Sequence, residues 1–163
     1  MRWHESWRAD PRGAALADRH YSRQKIGSRQ FVPPGRCVVL RTDAADAVWT
    51  TSWPFAQYVK HAWPGAWVNS LFRNESSHLS SDLILEAVAA TRWYWPDIPA
   101  LGMVTMVDPG KVRSTNPGYC YKCAGFRKVG KTKAGQIVWQ LLPDEMPEAV
   151  APIGAALSLL EVA

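Results

Sequence analysis

The order of apolar and polar residues along the chain predicts six strands and three helices. Short apolar or alternating runs bounded by turn residues indicate strands at 37–40, 47–51, 67–72, 101–107, 126–129 and 136–142. The run at 101–107 is typical of a buried strand, and it stops at Asp108-Pro109-Gly110, where proline removes a hydrogen-bond donor and glycine allows a turn. The polar segment 131–135 between the last two runs predicts a hairpin turn.

The helices are marked by their first residues and by helical spacing. The first begins at Asp10-Pro11 and extends to about residue 21. The second spans about 80–95, with apolar residues on one face and a proline directly after it. A third, short helix begins at Asn116-Pro117, where asparagine is expected to be the N-cap. Backbone N–H groups at that helix start would form an anion-binding corner.

These elements predict an α/β fold with a mostly antiparallel, twisted central sheet flanked by helices. At 163 residues the chain fits one domain with a single sizeable core, which we place at residues 1–143. After Pro143 the composition shifts to proline, alanine, leucine and glutamate. Residues 144–163 are therefore expected to form an appended tail with one short helix at 153–162.

The charge balance indicates an anionic partner. Nineteen Lys and Arg against fourteen Asp and Glu give a net charge of +5, which suits nucleic acid and CoA phosphates alike. Seven basic residues fall on segments that the fold would bring toward one face, namely Arg23, Lys25, Arg29, Arg36, Arg73, Arg113 and Lys128. Nine tryptophans supply either core volume or exposed rings for base stacking.

The cysteines indicate a reducing compartment. Cys37, Cys120 and Cys123 make an odd count without a secretory signal, so a cytoplasmic location is expected. Cys120 and Cys123 form a lone pair, whereas zinc normally takes four ligands. No apolar run is long enough to span a membrane, and we expect no membrane partner.

The residue type and the position of four side chains make them candidates for proton transfer. His20, Tyr21 and Ser22 supply an imidazole, a phenol and a hydroxyl on consecutive residues, of which at most two would share a site on a regular helix. Asp108 follows the predicted central strand, at the sheet end where ligands meet open α/β folds. It would orient an amine, act as a base, or simply cap the turn.

The segment from residue 102 to 132 resembles a known family. A central strand, a loop with a helix and a Tyr-rich segment closing on Gly-Phe are similar to the GNAT fold of N-acetyltransferases, and more closely to the divergent Mom-type phage DNA-modification proteins. The matching positions run through the second half of the chain and are Asp108, Gly118, Tyr121, Phe126, Gly130 and Thr132. The sequence His20-Tyr21-Ser22 resembles a His-Tyr-Ser segment of the same proteins.

This resemblance implies an enzyme that transfers an acyl-derived group from acetyl-CoA or another acyl-CoA to an amine. Tyr121 would be the general acid toward the leaving thiolate, assisted by His20 or Asp108 at the amine. The residues expected near the cofactor, whose pyrophosphate would lie at 116–119, are Val107, Asn116, Gly118, Tyr119 and Phe126. The Mom-type resemblance further implies a nucleobase in DNA as acceptor and an iron requirement.

Two other hypotheses stay open at this point. An ordinary small-molecule or protein N-acetyltransferase would share the fold without binding DNA. An ordinary GNAT protein has a Gly-rich loop in this region, but residues 108–117 contain only Gly110. A non-catalytic nucleic-acid-binding module with a GNAT-like fold is therefore the third hypothesis, and acyl-CoA binding would separate it from the two enzymes.

Overall fold

Seven strands form a single sheet in which one pair is parallel and the remaining pairs are antiparallel. The computed structural model describes residues 1–156 of the 163-residue chain. In chain order the strands are Trp3–Glu5 (β1), Arg36–Thr42 (β2), Ala47–Trp53 (β3), Trp67–Asn74 (β4), Met103–Val107 (β5), Arg127–Lys131 (β6) and Ile137–Leu141 (β7). Across the sheet their order is β1-β2-β3-β4-β5-β7-β6. The α/β class and the mostly antiparallel sheet predicted from the sequence are thus confirmed.

In the part of the chain that the structure describes, three α-helices cover the two faces of this sheet. Helix α1 (Pro11–Ala17) packs on β3 and β4, while α2 (Ser80–Tyr94) and α3 (Tyr119–Cys123) pack together on the other face. Helix α2 is the crossover between the parallel strands β4 and β5, as such a connection requires. Among the described residues, no helix is long and apolar enough to cross a membrane.

Alternate residues of the central strands supply separate cores on the two faces of the sheet, and a third, small cluster consists of Ala66, Val104 and Val138. Val38, Leu40 and Trp49 belong to the larger core beneath α2 and α3, whereas Val39 and Val48 belong to the smaller one beneath α1. Five of the nine tryptophans are buried, namely Trp3, Trp49, Trp67, Trp95 and Trp139. Most of the aromatic surface therefore stabilises the fold and is not available to a ligand.

The first helix begins as predicted but ends early. Asp10 is its N-cap, accepting a 3.0 Å hydrogen bond from the backbone N–H of Arg12, and Pro11 is the first helical residue. Asp10 is also fully buried and paired with Arg12 and Arg41. The helix ends at Ala17, because residues 18–22 form turns instead of the predicted further helical turn.

The beginning of the third helix and the end of the chain differ from the sequence prediction. Asn116 is not the N-cap of α3; Gly118 is, with a left-handed φ of 84°. A side-chain carbon at Gly118 would also overlap the indole of Trp139, so only glycine fits there. Ile153 forms a bridge with His4 beside β1, so residues 153–156 are not helical; the rest of the predicted helix at 153–162 lies outside the described residues.

Candidate functional site

A wedge-shaped gap opens where the two parallel strands separate. β4 and β5 pair through only three residues each, and the last pair is Asn69 with Thr105. Beyond that pair β4 continues to Asn74 and β5 to Val107 without pairing with each other. The gap opens into a cavity of about 1010 Å³, the size of a site for a cofactor or a large ligand.

The cavity is lined from both faces of the sheet. His20, Tyr21 and Ser22 come from the segment after α1, and Cys120 and Tyr121 come from α3 on the opposite face. The strands β4 and β5 supply the walls between them. Two reactants can therefore approach one point from opposite faces, which is the arrangement that group transfer needs.

The charged side chains that line the cavity, among the described residues, all carry positive charge. Three lysines line the cavity, Lys60 from the loop after β3 and Lys131 and Lys133 from the β6–β7 hairpin. Among the described residues, no aspartate or glutamate lines it. A cavity with only positive formal charges favours an anionic ligand, because clefts lined by one sign of charge focus the field onto such a ligand.

A β-bulge at Ser70 lies beside the point where the strands part. Thr50 of β3 pairs with Leu71 and Thr51 pairs with Asn69, so Ser70 is the extra residue in β4. The Asn69 side chain compensates for the interrupted ladder, donating to the carbonyl oxygens of Thr50 at 3.0 Å and of Leu71 at 2.9 Å. Bulges of this kind bend a strand and recur next to active sites.

Tyr121 reaches the apex of the gap from α3. Its hydroxyl donates a 2.7 Å hydrogen bond to Asn69 Oδ1, which also accepts from Thr105 Oγ1 at 3.2 Å. Phe126 packs against the Tyr121 ring with centroids 5.4 Å apart and fixes its orientation. Burial raises the pKa of Tyr121 above its ordinary value, so the phenol keeps its proton at neutral pH. The structure places this predicted site residue in the cavity wall.

All three residues of the His20-Tyr21-Ser22 segment line the cavity, contrary to the expectation that at most two would share a site. The reason is the early end of α1, since a turn can direct neighbouring side chains to one side. The rings of His20 and Tyr21 stack with centroids 4.4 Å apart. His20 Nδ1 lies 2.7 Å from Ser22 Oγ and accepts a 3.2 Å hydrogen bond from the Ser22 N–H.

His20 is held in its neutral form. Burial, followed by the nearby charge of Arg73, lowers the pKa of His20 to about 4. The Ser22 N–H donates to Nδ1, which assigns the ring proton to Nε2. The Ser22 hydroxyl then donates to Nδ1. The basic nitrogen of His20 is therefore hydrogen-bonded to a second residue that lines the cavity.

Two arginines anchor this segment to the end of β4. Arg19 makes a bidentate ion pair with Glu75, with both hydrogen bonds at 2.8 Å, and Arg73 binds the same carboxylate. Arg73 also donates to the carbonyl oxygen of Arg19 at 2.6 Å. Hydrogen bonds from Arg19 and then Arg73 lower the pKa of Glu75 to about 2. The position of His20 therefore depends on the end of the strand that forms one wall of the gap.

Asp108 caps its own turn and is not among the residues that line the cavity. Its carboxylate accepts a 2.9 Å hydrogen bond from the Gly110 N–H and lies 3.9 Å from Lys111 Nζ. The backbone N–H of Asp108 donates to the Tyr21 hydroxyl at 3.3 Å. Burial raises the pKa of Tyr21 above its ordinary value. Asp108 thus positions Tyr21 through its backbone, and of its predicted roles the structure shows the capping one.

The predicted cofactor residues are divided between the cavity and its surroundings. Val107 and Gly118 line the cavity, whereas Asn116 and Tyr119 are exposed outside it and Phe126 is in the core. The N–H of Tyr119 donates to the Asn116 carbonyl, and those of Tyr121 and Lys122 donate to the Gly118 carbonyl. These three amides already donate within the segment, and α3 has only five residues, so few backbone N–H groups are left for the predicted anion-binding corner.

The basic residues predicted to bind nucleic acid have different roles in the fold. Arg23 is largely buried and closes the loop after α1, paired with Asp18 and bonded to the carbonyls of Ser28 and Gln30. Arg73 is engaged with Glu75, and Arg36 lies over the Trp53 ring at 4.6 Å. The remaining four are exposed to solvent, namely Lys25, Arg29, Arg113 and Lys128.

Sequence reasoning missed the cationic and amide side chains that define the site. Lys131 and Lys133 were assigned only to a hairpin turn, and Lys60 belongs to a loop without a recognisable motif. For Asn69 a signal was present, because two adjacent polar residues, Asn69 and Ser70, interrupt the apolar alternation of the strand at the position of the bulge.

The donor set does not fit an iron centre. No group of three or more His, Cys, Asp or Glu side chains that could hold a metal ion occurs in the part of the chain that the structure describes. The nitrogen and sulfur donors lining the cavity are His20, His61 and Cys120. Burial raises the pKa of Cys120, which disfavours the thiolate that binds metals, and lowers the pKa of His61, which favours its neutral imidazole. We assign no chemical step to iron.

Comparison with known proteins adds no further constraint on the site. Neither a protein-family model, nor a curated protein, nor a solved structure matches this chain.

Proposed function

We propose that this protein is a GNAT-like transferase that moves an acyl-derived group from an acyl-CoA to an amine, with a nucleobase in DNA as the acceptor. The observation that carries the proposal is the cavity between β4 and β5, lined from both faces of the sheet and bearing three lysines without a carboxylate among the described residues. The resemblance to Mom-type proteins supplies the DNA acceptor.

The positions of three elements support the GNAT-like assignment. β5 is an interior strand of the sheet, α3 carries Tyr121 at the gap, and the following segment closes on Phe126, which packs edge-to-face with the Tyr121 ring. These are the strand, helix and Gly-Phe segment on which the resemblance rests. An acyl-CoA would supply an activated thioester and several phosphate charges. Lys131 and Lys133 on the hairpin are the residues we assign to those phosphates.

Tyr121 is the proton donor that we assign to the departing sulfur. Its phenol is protonated at neutral pH, and Asn69 and Phe126 hold it at the apex of the gap. To protonate the sulfur, the hydroxyl would turn its hydrogen from Asn69 Oδ1 toward the leaving group, which is a rotation about one bond. Proton transfer by a positioned side chain contributes about 10²–10⁴-fold in rate.

His20 and Ser22 are the groups that we assign to the attacking amine. Ser22 Oγ is hydrogen-bonded to His20 Nδ1 and both residues line the cavity, so a proton leaving the amine would pass to Ser22 Oγ as the Ser22 proton moves to Nδ1. His20 is neutral at pH 7 and can accept that proton. Asp108 is assigned no part in this transfer, because its carboxylate is engaged by its own turn.

Calorimetric titration with acetyl-CoA tests the donor site. We expect the wild-type protein to bind acetyl-CoA and the Lys131→Gln/Lys133→Gln double variant to bind it at least tenfold more weakly. Lys128→Gln is the matched control, because Lys128 is exposed on the same hairpin but does not line the cavity. If the wild-type protein does not bind acetyl-CoA or its longer-chain analogues, the transferase proposal is wrong.

Mass spectrometry of nucleosides tests the acceptor. DNA from cells that express the soluble chain, grown with iron supplied, should contain a modified nucleoside that is absent when His20→Ala is expressed. An added group in the groove should also block some restriction enzymes, because each base-edge contact is worth about 1–3 kcal/mol. Only the four normal nucleosides in digests, together with proven acetyl-CoA binding, would leave a small-molecule or protein N-acetyltransferase as the function.

A further inference from the structure

The loop between β3 and β4 presents two aromatic rings to solvent. Phe55 is 68% exposed and Tyr58 is 73% exposed, although large aromatic side chains are usually buried in a folded domain. Their rings make an edge-to-face pair with centroids 6.4 Å apart. The Tyr58 N–H donates to the Phe55 carbonyl at 3.0 Å, so a tight turn holds both rings on one short segment.

The same loop forms part of the cavity wall. Lys60, His61 and Trp63 follow the aromatic pair within five residues of Tyr58 and line the cavity. His61 Nδ1 accepts from the Trp63 N–H at 3.0 Å, which fixes this part of the loop. The Trp63 ring approaches Gly130 of the β6–β7 hairpin, where an added side-chain carbon would be 3.5 Å away. The loop therefore runs from the exposed aromatic rings to the cavity, where the Trp63 ring lies near Gly130 of the β6–β7 hairpin.

Along the chain, positively charged side chains flank the aromatic pair on both sides. Lys60 is exposed at one end. At the other end Arg36 pairs with Trp53 across the sheet, and its guanidinium lies over the rings of Trp53 at 4.6 Å and Trp95 at 5.2 Å. Exposed aromatic rings combined with cations along a path are the features by which proteins bind single-stranded nucleic acid, because every base has a π-face.

We propose that single-stranded DNA binds along this loop, with bases stacked on Phe55 and Tyr58 and phosphates at Arg36 and Lys60, and that the strand delivers an unpaired base into the cavity. The proposal rests on the proposed function for the choice of DNA as acceptor. A base inside a duplex cannot reach an enclosed site without being extruded, whereas an unpaired base can. The loop is thus the determinant that makes the single strand the preferred substrate.

Fluorescence anisotropy with a fluorescein-labelled oligodeoxynucleotide tests the proposal without acyl-CoA. We expect the single strand to bind at least tenfold more tightly than the same sequence as a duplex, at about 50 mM salt, where phosphate contacts are strong. The Phe55→Ala/Tyr58→Ala variant should weaken single-strand binding by about tenfold or more, since stacking on one aromatic ring contributes about 1–3 kcal/mol per base. Duplex binding should change less.

Four further variants separate stacking from other effects. Tyr58→Phe keeps the ring and should retain the affinity, whereas Phe55→Leu keeps apolar surface without a π-face and should not. Trp7→Ala removes a ring that is 53% exposed after β1, at the other edge of the sheet, and should leave the affinity unchanged. Lys60→Gln should reduce the slope of log affinity against log salt by about 0.7, the contribution of one phosphate contact on a single strand.

The outcomes distinguish this proposal from the proposed function. Equal affinity for single strand and duplex, or unchanged affinity in the Phe55→Ala/Tyr58→Ala variant, overturns the proposal even if modified nucleosides are found. A dimer in sedimentation experiments that the same variant abolishes would show that the aromatic pair binds a second copy of the chain, and would also overturn it. Acetyl-CoA binding is independent of all these results, because it depends on the hairpin lysines.

Discussion

Replacing Asn69 with alanine should cost far more stability than removing either hydroxyl that binds it. The Asn69 side chain is 5% exposed and makes four hydrogen bonds: two to the carbonyls of Thr50 and Leu71, and two from Tyr121 and Thr105. Alanine would leave these buried groups without their partner, at about 1–3 kcal/mol for each group that water does not reach. Because the cavity lets water reach some of them, we expect a loss of about 3–5 kcal/mol in the free energy of unfolding.

Urea denaturation of the wild-type protein and four variants measures this prediction. Tyr121→Phe and Thr105→Val each remove one hydroxyl and leave Asn69 Oδ1 with the other donor, so each should cost about 1 kcal/mol. In thermal unfolding Asn69→Ala should lower the midpoint by about 10 °C, given about 2–4 °C per kcal/mol for a chain of this length. The Asn69→Ala/Tyr121→Phe double variant should be less unstable than the sum of the single losses, since both remove one shared bond.

The result that would refute this reasoning is a loss in Asn69→Ala no greater than that in Tyr121→Phe. Water would then replace the amide at the bulge, and Asn69 would not be the group that holds the two strands at the point where they separate. Strictly additive losses in the double variant would separately show that the bond between Tyr121 and Asn69 is not energetically significant.

Three further predictions concern turnover and pH. Tyr121→Phe should retain acetyl-CoA affinity and lower turnover at least tenfold, since it deletes one proton donor; unchanged turnover would remove Tyr121 from the reaction. Ser22→Ala should lower turnover by a similar factor and shift the pH profile, whereas Ser28→Ala, in the same loop but outside the cavity, should do neither. The pKa of His20 in the folded protein, about 4, is below its pKa in the unfolded chain. As the pH falls, the unfolded chain therefore binds this proton before the folded protein does. The free energy of unfolding should therefore fall as the pH drops from about 6.5 to about 4, and His20→Gln should reduce that fall; equal pH dependence in urea titrations would show that His20 is not held neutral.

The local elements were predictable from the sequence where a short pattern determines them. The apolar run that becomes β5, the Asp10-Pro11 start of α1 and the hairpin at 131–135 were all confirmed. β1 was missed because three residues, Trp3–Glu5, are too short for a periodic signal. The end of α1 was misplaced because the Arg19–Glu75 ion pair joins residues 56 positions apart.

The site was predictable only in part, because its geometry is long-range. Tyr121 and the His20-Tyr21-Ser22 segment could be named from residue type and resemblance, and all of them line the cavity. The bond between Tyr121 and Asn69 spans 52 positions, and no local pattern specifies it. Asp108 was singled out by its position after a strand, but the same Asp-Pro-Gly sequence also specifies a capped turn, and the capped turn is what forms.

The separation of β4 and β5 has a consequence for how this protein can diverge. The cavity arises from the paths of two backbones, whereas the lysines of the β6–β7 hairpin line it without joining β4 to β5. Substitutions of the Lys131 or Lys133 side chain would change the ligand without disturbing the pairing of β4 with β5. Ligand specificity can therefore evolve through substitutions that cost little free energy of folding, provided that Asn69 and Gly118 are retained.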